Sequence, residues 1–164
     1  LPAAAPRPVT EYLSRTARAQ QAMAAQGIAA LLLISEPDVR YFTGFLTRFW
    51  ESPTRPWFLV LPATGAPVAV IPAIGADLMG QSWVTDIRCW DAPDYADDGV
   101  GLLAETLVEL VPPGGRIGVP LEPSLVLGPG RMMVQEENIV IREDRVEWLT
   151  PRARQDLPEL EWDP

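Results

Sequence analysis

Seven consecutive residues, Ile28 to Ile34, read IAALLLI without a polar or charged break. Successive side chains on a strand point to opposite faces, so a run of this length that is apolar at every position needs cover on both sides. That one stretch requires a sheet sandwiched between layers and excludes a sheet with one wet face. A second pair of runs, WFLVLPA and PVAVIPA, flanks Thr64-Gly65-Ala66 and reads as a hairpin closed by a short glycine turn.

The segments around these strands supply the cover. From Thr10 to Gln26 the spacing predicts a helix, with Thr10 as its cap, Glu11 in its first turn and Gly27 as its stop. Leu13, Ala17, Gln20 and Ala24 would form its inward face, with Met23 beside them. EPDVRYFTGF reads as a proline-started short turn or helix closed by Gly44, and IGADLMGQSW as a short helix. DIRCWD alternates like a strand, which makes Cys89 a buried small hydrophobe. Val100, Leu103, Leu107, Val108 and Val111 recur at helical spacing and end at PPGG, and RIGVPL is a further strand. The expected fold class is α/β, a mixed sheet flanked by helices.

Composition removes several kinds of chemistry. The 164 residues carry a net charge of −9 with no basic stripe, which argues against a nucleic-acid partner. All 13 basic residues are arginine, so a lysine nucleophile or Schiff base is excluded. There is no histidine, which excludes Ser-His and Cys-His catalysis and most catalytic zinc sites. One cysteine allows no internal disulfide. No apolar run is long enough to cross a membrane, and LPAAAPRPVT lacks the layout of a signal peptide, so the expected location is cytoplasmic.

The texture changes after Leu121. RMMVQEENIVI and RVEWLT read as two strands joined by a tight turn at RED, a short β-hairpin tail, followed by a proline-broken acidic end. On a strand, Glu137 shares a face with Met133, Ile139 and Ile141, an expensive place for an unpaired carboxylate. Between Leu46 and Pro56, LTRFWESPTRP is a polar and aromatic loop. By itself it reads as a surface loop whose aromatics anchor it to the sheet. Asp94, Asp97 and Asp98 read as a solvated loop in which Asp97 or Asp98 caps the next helix.

The helix with scattered arginines, then GIAALLLISEPDVRYFTGF, then RPWFLVLP, resembles the N-terminal domain of the creatinase/prolidase/aminopeptidase P family. The resemblance covers roughly Glu11 to Leu121 and is most specific at DVRYFTGF. It implies a non-catalytic α/β layer of ribonuclease-H-like topology preceding a "pita-bread" domain that binds two metal ions. That second domain hydrolyses peptide bonds next to proline, or related C–N bonds.

LEPSLVLGPGRMMVQEENIVIREDRVEWLT is similar to the C-terminal end of that catalytic domain. On this match Glu122 and Glu137 fall on two glutamate ligands of a manganese, cobalt or zinc pair, for which carboxylates are suitable hard donors. The family's remaining ligands, two aspartates and a histidine, belong to a portion of roughly two hundred residues that would come between Leu121 and Glu122. The resemblance thus divides the chain into residues 1–121, an N-terminal-type domain, and residues 122–164, a remnant of the catalytic domain. It further implies a chain that binds no metal and is inactive alone, from a parent that is a homodimer acting on small peptides or amides. The loop residues Arg48, Trp50 and Arg55 would contact substrate, arginine clamping a carboxylate and tryptophan walling the pocket. The competing reading is a non-catalytic module for dimerisation and substrate gating.

Overall fold

A computed structural model describes residues 8–52, 54–121, 124–128, 131–134, 137–141 and 146–148. Helix α1 (Val9–Gln26) opens the fold and stops where Gly27 turns left-handed at φ 64°. Strand β1 (Ile28–Leu33) follows, then helix α2 (Glu36–Thr43), β2 (Phe58–Pro62) and β3 (Val68–Pro72). A one-turn helix α3 (Ala76–Met79), β4 (Asp86–Trp90), α4 (Val100–Leu110) and β5 (Arg116–Leu121) complete the layer.

The strands lie in the order β4-β3-β2-β1-β5. β1 runs antiparallel to β2 and parallel to β5; β2 is antiparallel to β3, and β3 parallel to β4. The sheet is therefore mixed, as expected, because one tight hairpin sits inside an otherwise crossover-connected sheet. No helix among the described residues is long and apolar enough to cross a membrane.

Both faces of the sheet are covered. Leu33, Leu59, Leu61, Ala69 and Ile71 face one core, shared with Met23, Val39, Phe42, Phe45, Trp57 and Met79. Ala30, Val60 and Val70 face a second, closed by Leu103 of α4 and Trp90. This is the two-sided burial that the unbroken apolar runs require. The pairing of β1 with β5 shifts register between Ile28 and Ala30, and Ile28 belongs to the first core although Ala30 belongs to the second.

Several local expectations need correction. α1 is capped two residues earlier than expected, at Pro8 in place of Thr10, with no side-chain cap bond. Its buried residues are Arg15, Thr16 and Met23, whereas Leu13 is 48% exposed, so the inward face is rotated from the Leu13–Ala17 line. The reason is polar docking: the Arg15 guanidinium donates to the Tyr41 carbonyl at 2.7 Å and to Glu11 at 3.0 Å, and lies 4.3 Å from the Tyr41 ring centroid. Cys89 is exposed, because β4 ends the sheet. On α4, Val100 and Val108 face outward and Thr106 is fully buried. The Thr106 hydroxyl is satisfied by the Leu102 carbonyl and by Arg88. The cap position of that helix is Gly99, not Asp97 or Asp98, and it has no side-chain cap bond. Asp97, two residues earlier, accepts from the Gly101 N–H at 3.0 Å.

Past β5 the backbone continues the sheet with β8 (Glu137–Ile141), antiparallel to β5, and β9 (Val146–Trp148), antiparallel to β8. Strands β6 (Ser124–Gly128) and β7 (Arg131–Val134) pair with each other. The turn at residues 142–145, on which the expected tail hairpin depends, lies outside the described residues.

Candidate functional site

The loop after α2 is built from short-range hydrogen bonds. Gly44 ends α2 at φ 77°, a left-handed conformation that favours glycine. Thr47 then accepts from the Phe49 N–H at 3.2 Å and starts a 3-10 turn over Arg48–Glu51. The Ser52 N–H closes that turn on the Phe49 carbonyl at 3.1 Å, and the Arg55 N–H returns to the Ser52 carbonyl at 3.3 Å.

Aromatic contacts hold this loop on the sheet. Trp50 stacks on Trp57 with centroids 5.8 Å apart, and Trp57 meets Phe45 at 5.4 Å. Beside the stack lies a cavity of about 290 Å³. Ile34 bounds it at the end of β1; Trp50, Ser52 and Arg55 bound it from the loop; Trp57 and Phe58 bound it where β2 begins. The Arg55 guanidinium donates to the Ser52 hydroxyl at 3.2 Å and lies 5.5 Å from the Phe49 centroid.

Of the residues picked out from the sequence, Trp50 and Arg55 come together at this cavity. Arg48 stands apart, exposed, its side chain with no hydrogen bond or ion pair among the described residues. The contribution of Trp57 was hidden in the sequence, where it reads as the first residue of a strand. The signal that could have revealed it is its place directly after Arg55-Pro56, at the mouth of a buried strand. Ser52, Ile34 and Phe58 carry no such signal.

Glu122 lies outside the described residues, and Glu137 is placed only by its backbone, opposite Leu121 in the β5–β8 ladder. Among the described residues no three acid, cysteine or histidine side chains are grouped to hold a metal ion. The side chains of Glu122 and Glu137 are not among those described, and no chemical step is assigned to a metal centre here.

A groove of about 310 Å³ lies between the start of α1, the end of α2 and α3, lined by Tyr12, Phe45, Leu46, Leu78 and Trp83 among others, with no charged side chain. Among the described residues, a charge cluster lies on the edge strand, where Arg88 reaches Glu109 at 2.7 Å and Asp86 at 3.0 Å. The hydrogen bonds that Arg88 donates to Glu109 and then to Asp86 hold its proton more tightly than usual, and Arg88 holds the Glu109 carboxyl below the ordinary glutamate range. This cluster ties α4 to β4 and lines neither the groove nor the loop cavity.

Residues 15–136 match the sequence model described as the Creatinase/Prolidase N-terminal domain. Over 98 residues, 58% of this chain, the sequence is 35% identical to the probable dipeptidase PepE of Mycobacterium bovis, covering 25% of that protein; the Mycobacterium tuberculosis protein of the same name matches equally. The chain thus spans about a quarter of the length of the curated relatives it matches. In structure it is similar to dipeptidase PepE from Mycobacterium ulcerans, with a TM-score of 0.52 and 29% identity over 63% of this chain and 27% of that one. The prolidase from Thermococcus sibiricus shares the fold, with a TM-score of 0.53 at 19% identity, covering 62% of this chain and 26% of that one. The match over residues 15–136, on a mixed sheet with helices on both faces, means that the chain belongs to the creatinase/prolidase family and carries its N-terminal domain.

Proposed function

We propose that this chain is the N-terminal layer (residues 1–121) of a metal-dependent Xaa-Pro dipeptidase, joined to a remnant of the catalytic domain (residues 122–164). The observation that carries this reading is the 35% identity to proteins named dipeptidase PepE over a stretch that is a quarter of their length. In the parent, a pair of divalent ions would supply Lewis acidity for peptide hydrolysis. Glu122 and Glu137 would be two of the ligands, and manganese, cobalt or zinc the ion.

The residues of this chain perform a different part. The Trp50–Trp57 stack fixes the loop on the sheet, so Arg48, Trp50 and Arg55 are presented from a rigid base. From there they wall and close a substrate pocket in a homodimer that acts on small peptides or amides in the cytoplasm. Two glutamates without aspartate or histidine partners bind a divalent ion weakly, so the chain alone does not catalyse.

The second reading, a module for dimerisation and gating with no catalytic parent, is favoured by the absence of histidine from the whole chain. Sequencing the genomic DNA across the codons for Leu121 and Glu122 separates the two. The dipeptidase reading expects an insert that codes for two aspartates and a histidine. A continuous reading frame through those codons would leave the gating module.

A further inference from the structure

The uncharged groove between α1, α2 and α3 leaves much apolar surface open. Val9, Leu46 and Leu78 all line it, and they are 51%, 48% and 41% exposed. Tyr12 and Trp83 are its aromatic walls. The Trp83 indole N–H donates to the Phe42 carbonyl at 2.8 Å, which fixes one of them. The Tyr12 hydroxyl and the Gln81 side-chain amide make no hydrogen bond among the described residues. Aromatic walls with free neutral donors suit an extended polyproline II chain, whose backbone carbonyls have no internal partners.

A chain of that kind is joined to the rim. Pro8, at the cap of α1, has φ −64° and ψ 147°, the polyproline II region. Residues 1–7, outside the described residues, read LPAAAPR, and Val9, directly after Pro8, lines the groove. The residue before a helix cap commonly packs on the fourth helical position, which with Pro8 as cap is Tyr12. Seven residues of polyproline II span about 22 Å, ample to cross a groove of about 310 Å³. The tether also holds the segment at an effective concentration in the millimolar range, an advantage no untethered occupant has.

We propose that this groove seats the chain's own residues 1–7, with Pro2 and Pro6 against Tyr12 and Trp83. The segment's carbonyls accept from the Tyr12 hydroxyl and the Gln81 amide, and its body covers Val9, Leu46 and Leu78. The Arg7 guanidinium stays in water at the rim, since among the described residues the groove offers no carboxylate.

The test places a nitroxide on Ala4→Cys in the full chain, with Cys89→Ser so that one thiol remains, and reads backbone amide signals by NMR. The Leu78 and Trp83 signals should broaden. The signal of Val108, on the helix that covers the other face of the sheet, should not. Leu78→Asp, a charge placed at an exposed position, should restore the Trp83 signal, with the thermal melt as a folding control. Pro2→Gly together with Pro6→Gly, which touches neither core, should restore it in part. A mixture of isotope-labelled chains without nitroxide and unlabelled chains with it should show no broadening. Broadening in that mixture would make a second copy's segment the occupant and overturn the proposal. No broadening at Leu78 and Trp83, equal broadening at Val108, or broadening unchanged in the folded variants would overturn the groove as the seat.

Discussion

The indole of Trp50 lies over that of Trp57, with centroids 5.8 Å apart and planes 20° from parallel. Trp57 belongs to the buried core on one face of the sheet, and Trp50 belongs to the loop that leaves it. This stack is the joint through which a rigid core positions a polar loop. Trp50→Ala should therefore lower stability, and a double-mutant cycle with Trp57→Leu should give a coupling of roughly 0.5–1.5 kcal/mol in urea unfolding. Additive losses would mean that the stack carries no energy of its own.

Gly44 sets where that loop begins. At φ 77° a side chain is strained, and a Cβ there would run into the Tyr12 hydroxyl. Gly44→Ala should cost roughly 1–3 kcal/mol in thermal or chemical unfolding. Tyr12→Phe in the same chain should relieve only the hydroxyl's share, because the ring Cζ would still lie 2.8 Å from the added Cβ, and should leave the backbone strain.

The Arg88–Glu109 pair gives a pH dependence with a definite sign. The Glu109 carboxyl titrates below its unfolded value of about 4.3 because Arg88 donates to it. A group with a depressed folded-state pKa stabilises above the unfolded value, and that contribution is lost as pH falls through the folded one. Glu109→Gln should thus lower the urea midpoint equally at pH 7 and pH 6, and the difference should shrink below about pH 4. Since Glu109 is exposed, added salt near 1 M should shrink it too, roughly to the limit of detection. A difference that grows in acid would contradict the assignment.

The apolar runs made the sheet legible, because seven apolar residues at Ile28 to Ile34 and the two flanks of Gly65 leave few alternatives to buried strands. The inward face of α1 was not legible. Its buried members include Arg15 and Thr16, and the place of Arg15 is set by a distant partner, the Tyr41 carbonyl, about which local periodicity carries no information. Exposure of Cys89 depends on β4 being the edge, a property of strand order. In the site, Arg55 and Trp50 stood out as residue types in a loop. Trp57 did not, because its role comes from where the strand mouth meets that loop.

Residues up to Leu121 should fold independently of residues 122–164. Among the described residues, the side chains of both cores precede that point. A chain ending at Leu121 should keep a single cooperative thermal transition by circular dichroism, with β5 newly exposed as an edge prone to association. Loss of the cooperative transition would show that the strands pairing beyond β5 are part of the folding unit.

The role proposed for this chain is to furnish a wall and a closing loop for peptide hydrolysis without the catalytic centre itself. Turnover of Ala-Pro by the purified 164-residue chain with added manganese, read as free proline, tests that role directly. No proline above the buffer control is expected. Proline release that scales with protein concentration and stops on chelation would overturn the proposal.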